Sequence, residues 1–301
     1  MIKTFFSSLR IIFYLFILVL VYVFYLSRDL PSLERLETFD PAMLSTLYDR
    51  NGEVIGEFYI QKRVFVDIED MPNHLKNAAI ASEDKRFYSH WGVDLQSFFR
   101  AVVVNVSSMS FRQGFSTLSQ QLARNLYKEV GFKDSITRKL KEMITAIQIE
   151  RTYTKDEILE MYLNTVHFGH GTYGAESAAK RFFNKNASDL TIGESAMLIG
   201  LLPSPANYSP LRNLNKAIGR RSIVLKLMYN QDFISYQEYM EHNSIVPDNI
   251  YYEIPKGKAP YFAEHVRRIL EQQDEQLGIN IYQDGLKIHT TLCLLYTSPS
   301  P

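Results

Sequence analysis

Residues 79–94 read AIASEDKRFYSHWGVD. An apolar run meets the Glu83-Asp84 pair, and His90 follows Glu83 by seven positions with Phe87 and Tyr88 between them. A carboxylate pair placed where the pattern turns inward is either a solvated helix end or a group held for chemistry. Around it, from Pro72 to about Met240, apolar residues recur three and four apart with breaks at Gly or Pro, which is the periodicity of amphipathic helices. The stretch therefore opens one mainly α domain, expected over residues 66–240.

On the N-terminal side, STLYDRNGEVIGEFY (45–59) sets Asn51-Gly52 between alternating apolar positions, a strong hairpin signal. It falls in a juxtamembrane segment assigned to 28–65. Before that, IIFYLFILVLVYVFYL (11–26) is unbroken apolar and aromatic sequence, and residues 9–27 approach the length of a membrane-spanning helix. A cleaved signal peptide has a shorter apolar core and a small-residue cleavage site, whereas Arg28, Asp29 and Leu30 follow here. Lys3 and Arg10 precede the span, so residues 1–8 are expected to be a cytoplasmic tail and the rest of the chain to lie outside the cytoplasm.

On the C-terminal side, VPDNIYYEIPKGKAPY (246–261) reads as an extended connector, followed by a helix at about Phe262 to Gln276 and a strand at GLKIHTTL (285–292). Residues 241–292 are assigned as a linker, and CLLYTSPSP (293–301) is atypical enough to be foreign to the natural chain.

Composition excludes several functions. The 33 basic and 33 acidic residues cancel, so no global field points to nucleic acid, and any bound anion must be met by a local cluster. Cys293 is the one cysteine, which excludes an internal disulfide and a cysteine metal cluster.

The helices then divide into faces. In STLSQQLARNLYK (116–128), Leu118, Leu122 and Leu126 form an apolar stripe, while Thr117, Gln121, Arg124 and Lys128 form a polar one that either presents donors to an anion or is simply the wet side. In ITRKLKEMITAIQIER (136–151), Leu140, Met143, Ile144 and Ile147 are assigned to the core, with Glu142 opposite them beside Arg138, Ala146 and Ile149. Glu142 is either an exposed partner of Arg138 or a tuned catalytic group. Two motifs fail on context. GHGTYG (169–174) follows the helix-like KDEILEMYLN, which Thr154 and Glu157 can cap, so it reads as a glycine-rich turn rather than a dinucleotide fingerprint. SEDK (82–85) has the S-x-x-K spacing, but no S-x-N or K-T-G follows, so no transpeptidase activity is expected of this chain.

Taken in order, EDKRFYSHWG, GFSTLSQQLARN, RKLKE, KDEILEMYLNTVHFGHGTYGAESAAKRFF and ESAMLIGLLPSPANYSP resemble the successive motifs of the family 51 peptidoglycan glycosyltransferases. Within that family the likeness is to the front part of class A penicillin-binding proteins of the 1A type, over roughly Tyr48 to Met228. The resemblance implies a mainly α, lysozyme-like domain with a small membrane-apposed lobe, preceded by the transmembrane helix and the short β hairpin. It places the protein as a single-pass bacterial inner-membrane enzyme with its catalytic domain on the periplasmic or extracellular face. Implied partners are lipid II, the growing lipid-linked glycan strand, the membrane and other cell-wall synthesis proteins, with no nucleic acid.

The implied reaction joins sugars in β-1,4 linkage with inversion, the 4-hydroxyl of one lipid II attacking the anomeric carbon of a polyprenyl-diphosphate-linked strand. By that resemblance Glu83 is the general base, and Asp84, Phe87 and His90 order the cleft around it. Thr117, Gln121, Arg124, Arg138 and Lys139 match positions that grip the phosphates and nearby sugars, with Ser116 beside them among the substrate-binding positions. Glu142 is the second catalytic carboxylate, as metal ligand, acid or electrostatic partner. No cofactor is required on this reading, with stimulation by magnesium or manganese left open. Phe115 departs from the family, which usually has a small residue there. Two carboxylates across a cleft also suit a lytic muramidase, and a silent membrane scaffold is a third class. Expulsion of a diphosphate explains the basic residues, which hydrolysis does not.

Overall fold

The computed structural model describes residues 45–58, 65–108, 116–128, 136–245, 250, 258–279, 281 and 285–293, with scattered positions between 14 and 33. It is mainly helical and divides into two compact units, one of Met1–Thr38 with Glu83–Tyr162, the other of Phe39–Ser82 with Leu163–Pro301.

In the second unit the Asn51-Gly52 hairpin forms as β1 (Ser45–Tyr48) and β2 (Val54–Phe58). Asp49 Oδ1 accepts the backbone N–H groups of Asn51 and Glu53, both at 2.8 Å, and Gly52 supplies φ +80, so the turn is fixed by side-chain chemistry as well as by glycine. Strands β3 (His167–Gly169) and β4 (Thr172–Tyr173) flank the GHGTYG turn, which is thus a short hairpin following a helix, as its context predicts. The strand expected at 285–292 is β5 (Lys287–His289), and it pairs parallel with β1, giving the sheet order β2-β1-β5. The helix of the same region packs on this sheet through Ala263. A Cβ at Gly56 would lie 2.9 Å from the Ala263 Cβ, so only glycine admits the contact.

Helices are numbered in chain order. Helix α1 (Asn73–Glu83) buries Leu75, Ala78, Ala79, Ile80 and Ala81 and ends on Glu83. Helices α2 (Leu95–Ser108), α3 (Leu118–Lys128), α4 (Ile136–Thr152) and α5 (Lys155–Thr165) follow. The remainder are α6 (Ala175–Phe183), α7 (Ile192–Leu201), the short α8 (Pro205–Tyr208), α9 (Leu214–Tyr229), α10 (Tyr236–Ser244) and α11 (Pro260–Leu277). Helix α7 is buried along its length from Gly193 to Leu201, and a Thr191/Glu194 capping box starts it. The motif ESAMLIGLL is therefore core. Thr154 and Glu157 cap α5 as its sequence suggests, the Thr154 N–H donating to Glu157 Oε2 at 2.6 Å.

In the first unit α3 and α4 pack together, and Leu118 and Leu122 are fully buried as expected, while the Leu126 side chain lies outside the described residues. The face assigned to α4 is wrong. Glu142, Thr145, Ala146 and Ile149 are fully buried, whereas Leu140, Met143, Ile144 and Ile147 are only half-buried. The physical reason is close approach. At Gly92 (φ +98) a Cβ would come within 2.7 Å of the Ala146 carbonyl oxygen, so the loop after Glu83 needs the small-residue side of α4, not the bulky stripe.

The expected span at 9–27 lies mostly outside the described residues, and among those described no helix is long and apolar enough to cross a membrane. Phe115 and residues 294–301 also lie outside them.

Candidate functional site

The first unit brings the acidic pair and the basic helix positions into one network. Glu83 Oε2 accepts a hydrogen bond from Gln121 Nε2 of α3 at 3.0 Å. The other end of that amide, Gln121 Oε1, accepts the Tyr162 hydroxyl of α5 at 3.1 Å. Tyr162 is fully buried, and burial first, then the Glu83 charge, pushes its hydroxyl well above the usual phenol range.

Asp84 does different work. Its Oδ2 accepts the backbone N–H of Leu118 at 2.9 Å, at the first turn of α3 where orphan amides and the helix dipole favour a carboxylate. The same oxygen lies 2.9 Å from His90 Nε2. His90 Nδ1 accepts the Gly92 N–H at 3.1 Å, which assigns the ring proton to Nε2 and makes that nitrogen the donor to Asp84. Thr117 caps the same helix, its Oγ1 accepting the Gln120 N–H at 3.2 Å and donating to Gly92 O at 2.7 Å. Phe87 is fully buried, with Lys155 Nζ 4.5 Å from its ring centroid.

Asp84, His90 and Thr117 are thus the frame that joins the Glu83 loop to α3, while Phe87 packs beside His90 and under Lys155 of α5. The sequence reading gave Thr117 to the phosphates, but its hydroxyl is spent inside the protein.

Glu142, fully buried, gathers the cations. Arg124 Nε donates to its Oε1 at 3.3 Å, Arg138 Nε lies 3.3 Å from the same oxygen, and Lys139 Nζ donates to Oε2 at 3.2 Å. Lys139 also donates to Ser116 Oγ at 2.9 Å and Gln120 Oε1 at 3.0 Å. Burial pushes the Lys139 ammonium below its ordinary range, with Arg124 and Arg138 adding to the shift and Glu142 opposing it. Three cations against one carboxylate leave a local excess of two positive charges. The cation side chains are 22–34% exposed, so the excess faces solvent while its anchor does not. Such a cluster accepts a multiply charged anion. It does not suit a divalent cation, because Glu142 is surrounded by positive charge. Among the described residues no three His, Cys, Asp or Glu side chains converge on a metal-sized site.

Of the residues assigned from the sequence, the structure pairs Glu83 with Gln121 and separately gathers Ser116, Arg124, Arg138 and Lys139 with Glu142. Sequence reasoning missed Tyr162, whose hydroxyl sits in an otherwise apolar buried face with Ile158 and Leu159 and must find a partner there.

The transglycosylase family model fits residues 51–229, and the chain belongs to that family. Penicillin-binding protein 1A of Neisseria gonorrhoeae is 42% identical over 267 residues, covering 87% of this chain and 32% of that protein. Penicillin-binding protein 1A of Aquifex aeolicus is 36% identical over 288 residues, covering 96% and 39% respectively. The crystal structure of penicillin-binding protein 1A from Haemophilus influenzae aligns over 84% of this chain with a TM-score of 0.45 and 24% identity. The chain spans between 32% and 39% of the length of these curated relatives.

Proposed function

We propose that this chain is a peptidoglycan glycosyltransferase that polymerises lipid II into β-1,4-linked strands with inversion. The observation that carries the reading is the pairing of Glu83 with a separate site holding two excess positive charges. In the reaction the 4-hydroxyl oxygen of the acceptor bonds to the anomeric carbon of the donor, and the bond from that carbon to the diphosphate oxygen breaks. The hydroxyl proton passes to Glu83, and polyprenyl diphosphate leaves. A sugar hydroxyl attacks only as its proton is removed, so the base is needed in the transition state. The leaving diphosphate gains charge, and Arg124, Arg138 and Lys139 stabilise it without a strong acid. Glu142 is then their electrostatic anchor, and any stimulation by magnesium or manganese acts elsewhere than on this carboxylate.

Membrane attachment is part of the proposal. Tyr14, Leu18, Val21, Phe24 and Tyr25 are helical and expose 62–69% of their surface, and Tyr22 Oη lies 3.3 Å from Thr137 Oγ1 at the start of α4. In the same unit Trp91, Leu95, Phe99 and Val103 recur every four residues and expose more than half their surface. Exposed apolar side chains of this kind favour a lipid interface. The catalytic unit then works on the outer face of the bacterial inner membrane, where lipid-linked donor and acceptor meet.

The test is Glu83→Gln, which keeps the side-chain volume but removes the proton acceptor. Lipid II polymerisation should fall by about two orders of magnitude or more, while binding of a phosphoglycolipid inhibitor is retained. Near-normal polymerisation by this variant at neutral pH would overturn the assignment.

A further inference from the structure

The Tyr162 hydroxyl, Gln121 amide and Glu83 carboxylate form a directed chain, and we propose that Tyr162 is a positioning residue for glycosyl transfer, fixing the Gln121 amide so that it holds Glu83 in its reactive orientation. The inference rests on Glu83 being the proton acceptor.

An amide has two donors on nitrogen and an acceptor oxygen, and nothing in its own shape says which way round it sits. Here one end meets a carboxylate, which in its charged form only accepts, at 3.0 Å from Nε2. The other end meets the Tyr162 hydroxyl at 3.1 Å from Oε1. With a donor on one side and an acceptor on the other, a single orientation satisfies both. The reversed amide would set its oxygen against the carboxylate.

For that role the hydroxyl has to stay a donor, and it does. Burial and the nearby Glu83 charge disfavour the phenolate, with Asp84 adding to them and Arg124 opposing, so the proton is retained across the working pH range. Tyr162 is therefore no proton sink for the reaction.

Rigidity supplies the rest. The Tyr162 ring has no exposed surface, and its α5 neighbours Ile158 and Leu159 have none either, so the hydroxyl is held by packing. Gln121 sits one turn after Leu118 and next to Leu122, the fully buried stripe of α3. A carboxylate held from such a base is held within the tolerance that proton transfer demands, whereas one held only by a solvent-facing side chain samples unproductive rotamers.

Tyr162→Phe removes the hydroxyl and keeps the ring. In lipid II polymerisation its kcat should fall about tenfold, the scale of one lost hydrogen bond in the transition state, with KM for lipid II and the thermal midpoint near those of the parent. A double-mutant cycle separates positioning from packing. Added to Gln121→Leu, or to Glu83→Gln, Tyr162→Phe should cost no further turnover, because the link it acts through is already cut. An unchanged kcat, or a tenfold loss that persists in full in the Gln121→Leu background, overturns the inference. If Tyr162→Phe melts markedly lower, Gln121→Leu alone decides. The inference then requires kcat to fall with the fold intact, and a kcat like the parent's refutes it. Full activity of Glu83→Gln would remove the general-base reading itself, a result distinguishable from any behaviour of Tyr162→Phe alone.

Discussion

Two charged clusters in this molecule are built on opposite plans. At Glu142 a fully buried carboxylate is surrounded by Arg124, Arg138 and Lys139, which reach towards solvent. On α11 the buried member is a cation, Arg267, paired with Glu264 and Glu271, with Arg268 on Glu264 and Arg212 on Glu271. The first has three positive groups to one negative, the second three to two. Burying the anion and exposing the cations yields a site that invites a further anion. Burying the cation between carboxylates yields a closed clamp. The same residue types thus make a cluster with unbalanced positive charge at the surface in one unit and a closed brace in the other, and burial rather than composition decides which.

Removing one carboxylate from each cluster should expose the difference. Glu142→Gln leaves three partly exposed cations around a neutral group. Turnover on lipid II should drop more than tenfold, and magnesium should not restore it. Lys139 supplies a pH signature. Its ammonium is already lowered by burial, and Glu142 is what opposes that shift. Without Glu142 the Lys139 pKa drops further, so the charge proposed to stabilise the diphosphate is lost at a lower pH as the solution is made alkaline. The alkaline limb of the turnover profile should move towards neutrality. An unmoved limb, or rescue by magnesium, would break the comparison by making Glu142 a metal ligand or an acid.

Glu264→Gln should act more gently and elsewhere. Burial alone would raise the Glu264 carboxyl, but hydrogen bonds and charge from Arg267 and Arg268 outweigh it and hold the group at about 2. A carboxylate whose folded-state value is depressed contributes stability above its unfolded value, 4.5, and that contribution is lost as pH falls towards 2. The variant should melt a few degrees lower at neutral pH and show a flatter melting profile between those limits, with turnover per folded molecule unchanged. A turnover loss matching that of Glu142→Gln would erase the distinction between brace and site.

The legibility of these features in the sequence follows the same division. The helical domain, the Asn51-Gly52 hairpin and the Thr154/Glu157 cap were readable because each is written in local spacing. Glu83, Arg124, Arg138, Lys139 and Glu142 stand out through the likeness of their motifs to a known family, because helix faces alone leave each of them open to a solvated reading. The buried face of α4 was not readable, since that helix has two competing stripes and only the close approach of Gly92 to Ala146 selects the smaller one. At Thr117 the sequence carries a second signal, since TLSQ sets Thr three residues before Gln as at a helix start, and the structure realises it as a cap. Tyr162 was invisible for a different reason. Its partner Gln121 is 41 residues away, and no local pattern reports a hydroxyl that closes a tertiary contact.

A cation-rich cluster that serves a departing diphosphate commits the enzyme to transfer from a lipid-linked donor and not to cleavage of finished wall. The direct measurement incubates the detergent-solubilised protein with labelled lipid II and, separately, with purified peptidoglycan. Glycan polymer and free polyprenyl diphosphate are expected from the first, and no soluble fragments from the second. Release of muropeptide fragments from peptidoglycan, with lipid II left unpolymerised, would contradict that commitment.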